Sequence, residues 1–260
     1  MIKSIKSVQV APWNQVAVFL LLSMTAILAL EYFTNIDIWL EDWFFDAALQ
    51  DFPWRNHWFA TDFAHGSLKN VIIQSGTLLL LVMLIDQVWR IKRMDHFWRY
   101  RLQIVAWSSV LVPAVIRGIK RLSVLNCPWD IDRYGGHVPY LKLFDQVPAG
   151  WVPGHCFPAG HASTGLWLAA LCVFWLPQSP RKAFTVFWVG LSVGLALGWI
   201  QQMRGAHFLS HTLWSGWIAS VIVAVLIAIY QRKLLANPTT TTSNWKQRFK
   251  LRILGKSDTP

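Results

Sequence analysis

Charge is scarce in this chain: Asp, Glu, Lys and Arg make up 14% of the 260 residues, and only 13 residues are acidic. Soluble domains run at about 25% charged residues, so a stand-alone soluble domain is excluded. Cysteine is scarce too, with three copies, which excludes a disulfide-dense scaffold. The sequence has no internal repeat, and no glutamate follows a histidine in the HExxH manner of zinc proteases. What it has in abundance is apolar surface: 54% of residues are hydrophobic and 17 are Trp.

Apolar runs approaching the ~20 residues that cross a bilayer are legible near 14–33, 70–89, 103–120, 161–177, 183–201 and 212–230. The fold expected is therefore all-α, an integral membrane bundle of six transmembrane helices occupying 1–236. Gln74 and Ser75 make the second run the weakest. A cleaved leader is the alternative for the first, because Lys3 and Lys6 precede it. Glu31, Tyr32 and Phe33 then follow it where a cleavage site wants small residues, which favours an uncleaved anchor.

Lys and Arg sort the loops. Sixteen of the 24 lie at the amino-terminal end, in the second and fourth loops and in the carboxyl-terminal stretch from Arg232 onward, which includes the basic tail 237–260. By the positive-inside rule both termini are then cytoplasmic. The net charge of +11 becomes a collar for anionic headgroups, with no nucleic-acid partner implied. Loops one, three and five face outward. The first, 31–70, interleaves seven acidic residues with Trp and Phe, and an interfacial amphipathic helix is expected there. The third, 121–160, is rich in Pro, Gly and Asp and should be irregular.

Three polar blocks interrupt the apolar pattern, around Lys120 to Pro128, Phe157 to Ser163 and Arg204 to His211. In this topology all three sit at outward helix ends. His207 and His211 are four residues apart, one turn on one helical face, and His161 follows Gly160 directly. Polar groups distant in sequence that gather at one membrane depth indicate function. Imidazole can be nucleophile or proton donor near neutral pH, and fixed cations stabilise a transferring phosphoryl group.

The blocks resemble the signature of the type 2 phosphatidic acid phosphatase superfamily, written KxxxxxxRP, PSGH and SRxxxxxHxxxD. Here they read Lys120 through Cys127-Pro128, then Pro158-Ala159-Gly160-His161, then Gln201 through His207 to His211. The resemblance implies that His207 attacks phosphorus to form a phosphohistidine. His161 is implied to protonate the leaving oxygen, with Lys120 and the amide of Gly160 in the phosphoryl cradle. No metal and no cofactor is implied. Four positions depart from the motifs: Cys127 for Arg, Ala159 for Ser, Gln201 for Arg and His211 for Asp. Arg204 and Arg133 are the candidate replacement cations. His211 could accept a hydrogen bond from His207, and Asp130 is a second candidate orienter.

Cys127 and Cys156 both fall in the third outward loop, where an oxidising compartment would join them as a disulfide worth ~3 kcal/mol in the chain-entropy model. Two free thiols are the alternative. Cys172 lies within an apolar run and reads as core.

The expected function is metal-independent removal of phosphate from a membrane lipid: undecaprenyl pyrophosphate, phosphatidate or phosphatidylglycerol phosphate, or a lipid A. The expected location is a bacterial inner membrane with the site facing the periplasm, and no obligate protein partner is evident. Lipid-to-lipid phosphotransfer uses the same residues. A three-histidine zinc site would place Lys120 and Arg204 beside a dication, and a transporter would need polar residues near mid-membrane.

Overall fold

The structure is a computed structural model that describes residues 10–92 and 94–235. The basic tail and Lys3 and Lys6 lie outside the described residues. Among the described residues the secondary structure is helical, with two isolated bridges and no strand. Five helices are long and apolar enough to cross a membrane. They are α1 (Trp13–Phe33), α3 (Lys69–Val88) with a π-helical lead-in at Phe59–Leu68, α4 (His96–Leu122), α6 (Pro180–Met203) and α7 (Leu209–Leu235). Between them lie α2 (Ile36–Asp42) and α5 (Gly160–Leu166).

Local chemistry sets the ends of these helices. Asp95 caps α4 by accepting from the Trp98 amide at 2.8 Å. Lys120 and Arg121 stand in the last turn of α4, where the helix dipole favours cations. Pro180 opens α6 at a position whose amide needs no intrahelical partner. The outer surface of the bundle suits lipid: only 11% of the apolar window of α1 is buried, so its Val18, Leu21 and Leu22 point outward.

The fourth expected span departs from the sequence reading. Residues 160–175 form α5 and then a 3-10 helix at Trp167–Trp175, each too short to count as a long crossing helix. This piece is the centre of the bundle, with Ala162, Leu166, Ala169, Ala170 and Val173 all fully buried. It packs on two small residues of α6, Gly190 and Gly194, spaced for close helix approach. A Cβ at Gly190 would come within 2.5 Å of the Leu168 carbonyl, and one at Gly194 within 2.6 Å of the Leu166 amide nitrogen. Backbone-on-backbone packing of this kind admits a tightened, slender segment. Arg101, expected in the cytoplasmic collar, is instead a buried residue of α4 that donates to the Leu176 carbonyl and the Gln178 side chain and stacks over Phe97.

The first outward loop is built of short helical pieces. It holds α2 and the π-helical Phe59–Leu68, with Asp37 and Glu41 of α2 turned inward and Trp39 and Trp43 turned outward. Asp37 and Glu31 find their partners inside. Asp37 accepts from the Ser210 amide at 2.9 Å and from its hydroxyl at 2.5 Å, and Glu31 accepts from Trp214 and the Leu143 amide. These bonds strap the loop onto the start of α7. A second apolar cluster of Phe52, Ile131, Tyr134 and Phe208 fills the space between the outer loops.

Candidate active site

Three chain segments carry the histidines to one place. His207 stands in the short link between α6 and α7, His211 in the first turn of α7, and His161 in the first turn of α5. The link turns at Gly205, whose φ of 69° favours glycine and whose missing side chain makes room for the Phe52 ring. The Trp129 amide donates to the Gly205 carbonyl at 3.0 Å, tying the link to the first block. The Ala159 amide donates to the His211 carbonyl at 3.1 Å, and the Ser215 hydroxyl to the Ala159 carbonyl at 3.0 Å, so the second block is fastened to α7.

The ring centroids of His161 and His207 are 5.9 Å apart, and those of His207 and His211 are 6.0 Å apart. Lys120 reaches over from the end of α4. Its Cδ and Nζ lie 3.5 and 4.0 Å from where a Cβ on Gly160 would sit, so a side chain at 160 would fill the space beneath the ammonium. His207 and His211 are buried while His161 and Lys120 are half-buried, which makes a recess with the cation and His161 at its mouth. Burial first, and then the charge of Lys120, push His207 well below its usual 6.5, against an upward pull from the Cys156 carbonyl. His207 is therefore a neutral imidazole at neutral pH.

The structure brings His161, His207, His211, Lys120 and Gly160 together, and it disposes of the other expected residues differently. Arg204 donates from Nε to the Arg55 carbonyl and from Nη1 to the Gln201 side chain, both at 3.0 Å. Arg133 does not turn back toward the recess: it forms a bidentate pair with Asp42, both contacts 2.8 Å, on the exposed surface. That pairing holds Asp42 below the usual carboxylate range. Arg133→Ala should accordingly leave turnover within about twofold of wild type and lower stability by less than ~1 kcal/mol, as for other exposed ion pairs. Steady-state kinetics and thermal unfolding of the purified variant check both.

Nor do the candidate orienters reach His207. The described residues give no hydrogen bond between His207 and His211, whose ring lies edge-on to Phe157 and Phe208. Asp130 accepts from the Cys127 amide at 3.2 Å, an N-cap arrangement within its own turn.

Cys127 and Cys156 form a disulfide with a Cα–Cα separation of 5.3 Å, and Cys172 is a buried free thiol. The two bridged sulfurs and a ring nitrogen of His207 lie within 4.8 Å of one another, but sulfurs bonded to each other offer no thiolate to a metal.

Sequence reading missed two contributors. Arg55, in the first outward loop, lies with its guanidinium 4.9 Å over Trp129 and lends its carbonyl to Arg204. Asp37, one of the seven acids of the first outward loop, is buried and braces Ser210 beside His211. Nothing in local spacing marks either one.

No curated protein and no solved structure matches the chain. The family model described as PAP2 superfamily matches residues 76–235, a stretch that begins within α3, ends with α7 and contains all three polar blocks. With that match lying over the assembled histidine recess, the chain belongs to the PAP2 superfamily.

Proposed function

We propose that this protein is a metal-independent lipid phosphate phosphatase acting through a phosphohistidine on His207. Membership in the superfamily implies phosphatase or phosphotransferase chemistry on a phosphorylated substrate. The observation that carries the finer reading is the buried, neutral His207 at the base of a recess that also holds His161 and Lys120.

His207 attacks phosphorus with a ring nitrogen, and the bond from phosphorus to the lipid oxygen breaks. His161 gives its proton to that oxygen, and the dephosphorylated lipid leaves. Water then attacks the phosphohistidine while His161 takes one of its protons, the phosphorus–nitrogen bond breaks, and inorganic phosphate is released. Lys120 and the Gly160 amide hold the equatorial oxygens as charge shifts onto the leaving group. Arg204 and Arg55 supply positive potential at the rim, where a headgroup passes.

The substrate is a lipid because the recess opens at one end of a bundle whose flanks are apolar. Six crossings fit this reading. Seven α-helical and nine 3-10 residues in the central segment span about 28 Å at 1.5 and 2.0 Å per residue, near the ~30 Å hydrocarbon core. With the basic excess inside, the termini are cytoplasmic and the recess faces the opposite side, the periplasm of a bacterial inner membrane.

The test is incubation of the purified full chain with phosphatidate, phosphatidylglycerol phosphate, farnesyl diphosphate and a lipid A, each in EDTA. Released phosphate and lipid-to-lipid transfer are followed together. Release of phosphate at undiminished rate in EDTA is expected. Activity lost to chelation and restored by Zn²⁺ or Mg²⁺ would replace the histidine mechanism with a metal one. Phosphate appearing on a second lipid would redirect the reading to phosphotransfer.

A further inference from the structure

His207 lacks the partner that the family motif places four residues after it, since His211 stands where the motif has Asp. No carboxylate is among the groups that act on its ring, and four carboxylates of the outer loops are engaged elsewhere. Asp37 serves Ser210 and Tyr140, Asp130 the Cys127 amide, Asp42 Arg133, and Glu31 Trp214 and Leu143. What faces the back of the ring is Cys156. Its Sγ lies 3.4 Å from Nδ1 of His207, and its carbonyl acts on the same ring.

Cys156 is fully buried and held at two points, by the disulfide to Cys127 and by its amide donating to the Leu125 carbonyl at 2.9 Å, and its Sγ touches the Ala206 carbonyl at 3.2 Å. A disulfide sulfur carries no proton, so both groups that Cys156 offers the ring are acceptors. An acceptor behind Nδ1 selects the tautomer with hydrogen on Nδ1, which leaves the lone pair on Nε2.

We propose that Cys156, locked by its bridge to Cys127, is the positioning residue of His207: it holds the proton on Nδ1 and presents Nε2 to phosphorus, in place of a carboxylate. The inference rests on His207 being the nucleophile. It also gives a role to the replacement of the first-block arginine by Cys127, since that position now contributes a covalent anchor where the motif has a charge. A neutral acceptor stabilises the imidazolium less than a carboxylate does, and the other groups facing the ring, Lys120 from α4, His161 from α5 and His211 from α7, add no negative charge. The ring is therefore kept neutral to lower pH than a carboxylate partner would allow.

The experiment compares wild type, Cys127→Ser/Cys156→Ser, and that pair combined with His211→Asp, as full chains in detergent with farnesyl diphosphate or phosphatidate, whichever wild type hydrolyses. The serine pair should lose about 10- to 100-fold in kcat, the range for losing the group that orients a functional histidine, with KM within about threefold. Adding His211→Asp should return at least about tenfold of kcat and move the acid limb of the rate profile to higher pH. A loss of packing alone would be rescued by neither criterion.

An unchanged kcat in the serine pair, or a loss that His211→Asp does not recover, overturns the proposal. Should the serine pair fail to fold, wild type treated with dithiothreitol makes the comparison: the reductant becomes a cyclic disulfide as Cys127 and Cys156 become thiols, with reduction verified by mass. A reversible kcat loss is expected, and full activity of the reduced protein overturns it. Wild type that forms no phosphohistidine with any lipid phosphate fails the functional reading instead, a result distinguishable from both.

Discussion

Replacing His207 by alanine is expected to lower turnover on the order of 10⁴-fold or more, the scale of losing a nucleophile, and to leave no acid-labile phosphoenzyme. The attacking nitrogen is gone. His161→Ala should lower turnover of a lipid monoester by ~10²- to 10⁴-fold, the usual worth of a positioned proton donor. It should still accumulate phosphoenzyme from a diphosphate, whose leaving group needs little protonation. Quench-flow trapping with ³²P-labelled substrate separates the two. Full activity in either variant would remove that histidine from the mechanism.

The same burial has a consequence for pH. His207 has a folded pKa well below 6.5, so the unfolded chain takes up a proton that the folded one refuses. The stability this group contributes is present above about 6.5 and is lost as pH falls below it. The nucleophile itself remains unprotonated through that window, so activity in the still-folded protein should persist to lower pH than an ordinary histidine allows.

The second large effect is expected at Lys120. Lys120→Met keeps the stem that lies along Gly160 and removes the charge, so packing is preserved. Turnover should fall by ~10²- to 10³-fold, as when one oriented stabiliser of transition-state charge is lost. Because the ammonium is one of the groups that depress the His207 pKa, the acid limb should also move to higher pH in this variant. Rate profiles between pH 4 and 9 read both effects. A variant that loses turnover with no movement of the acid limb would place Lys120 on the substrate but out of electrostatic reach of His207.

The sequence by itself determined the elements whose causes are local. Long apolar runs must become helices in a lipid environment, because only helices satisfy every backbone group within their own segment; α1, α3, α4, α6 and α7 were legible for that reason. The histidine blocks were legible because their spacing puts polar groups at helix ends. Tertiary structure decided what depends on partners far away in the chain. The central segment became α5 and a 3-10 helix because glycines of α6 let it approach backbone to backbone, a contact no single run reveals. Asp37 and Glu31 turned inward because Ser210 and Trp214 receive them. Arg133 faced outward because Asp42, 91 residues away, holds it. The back of His207 was closed by Cys156, 51 residues away, because a disulfide fixes a neighbour that sequence spacing cannot. Apolar periodicity and helix ends act within a few turns, whereas the partner of a buried polar group is chosen by how the helices pack.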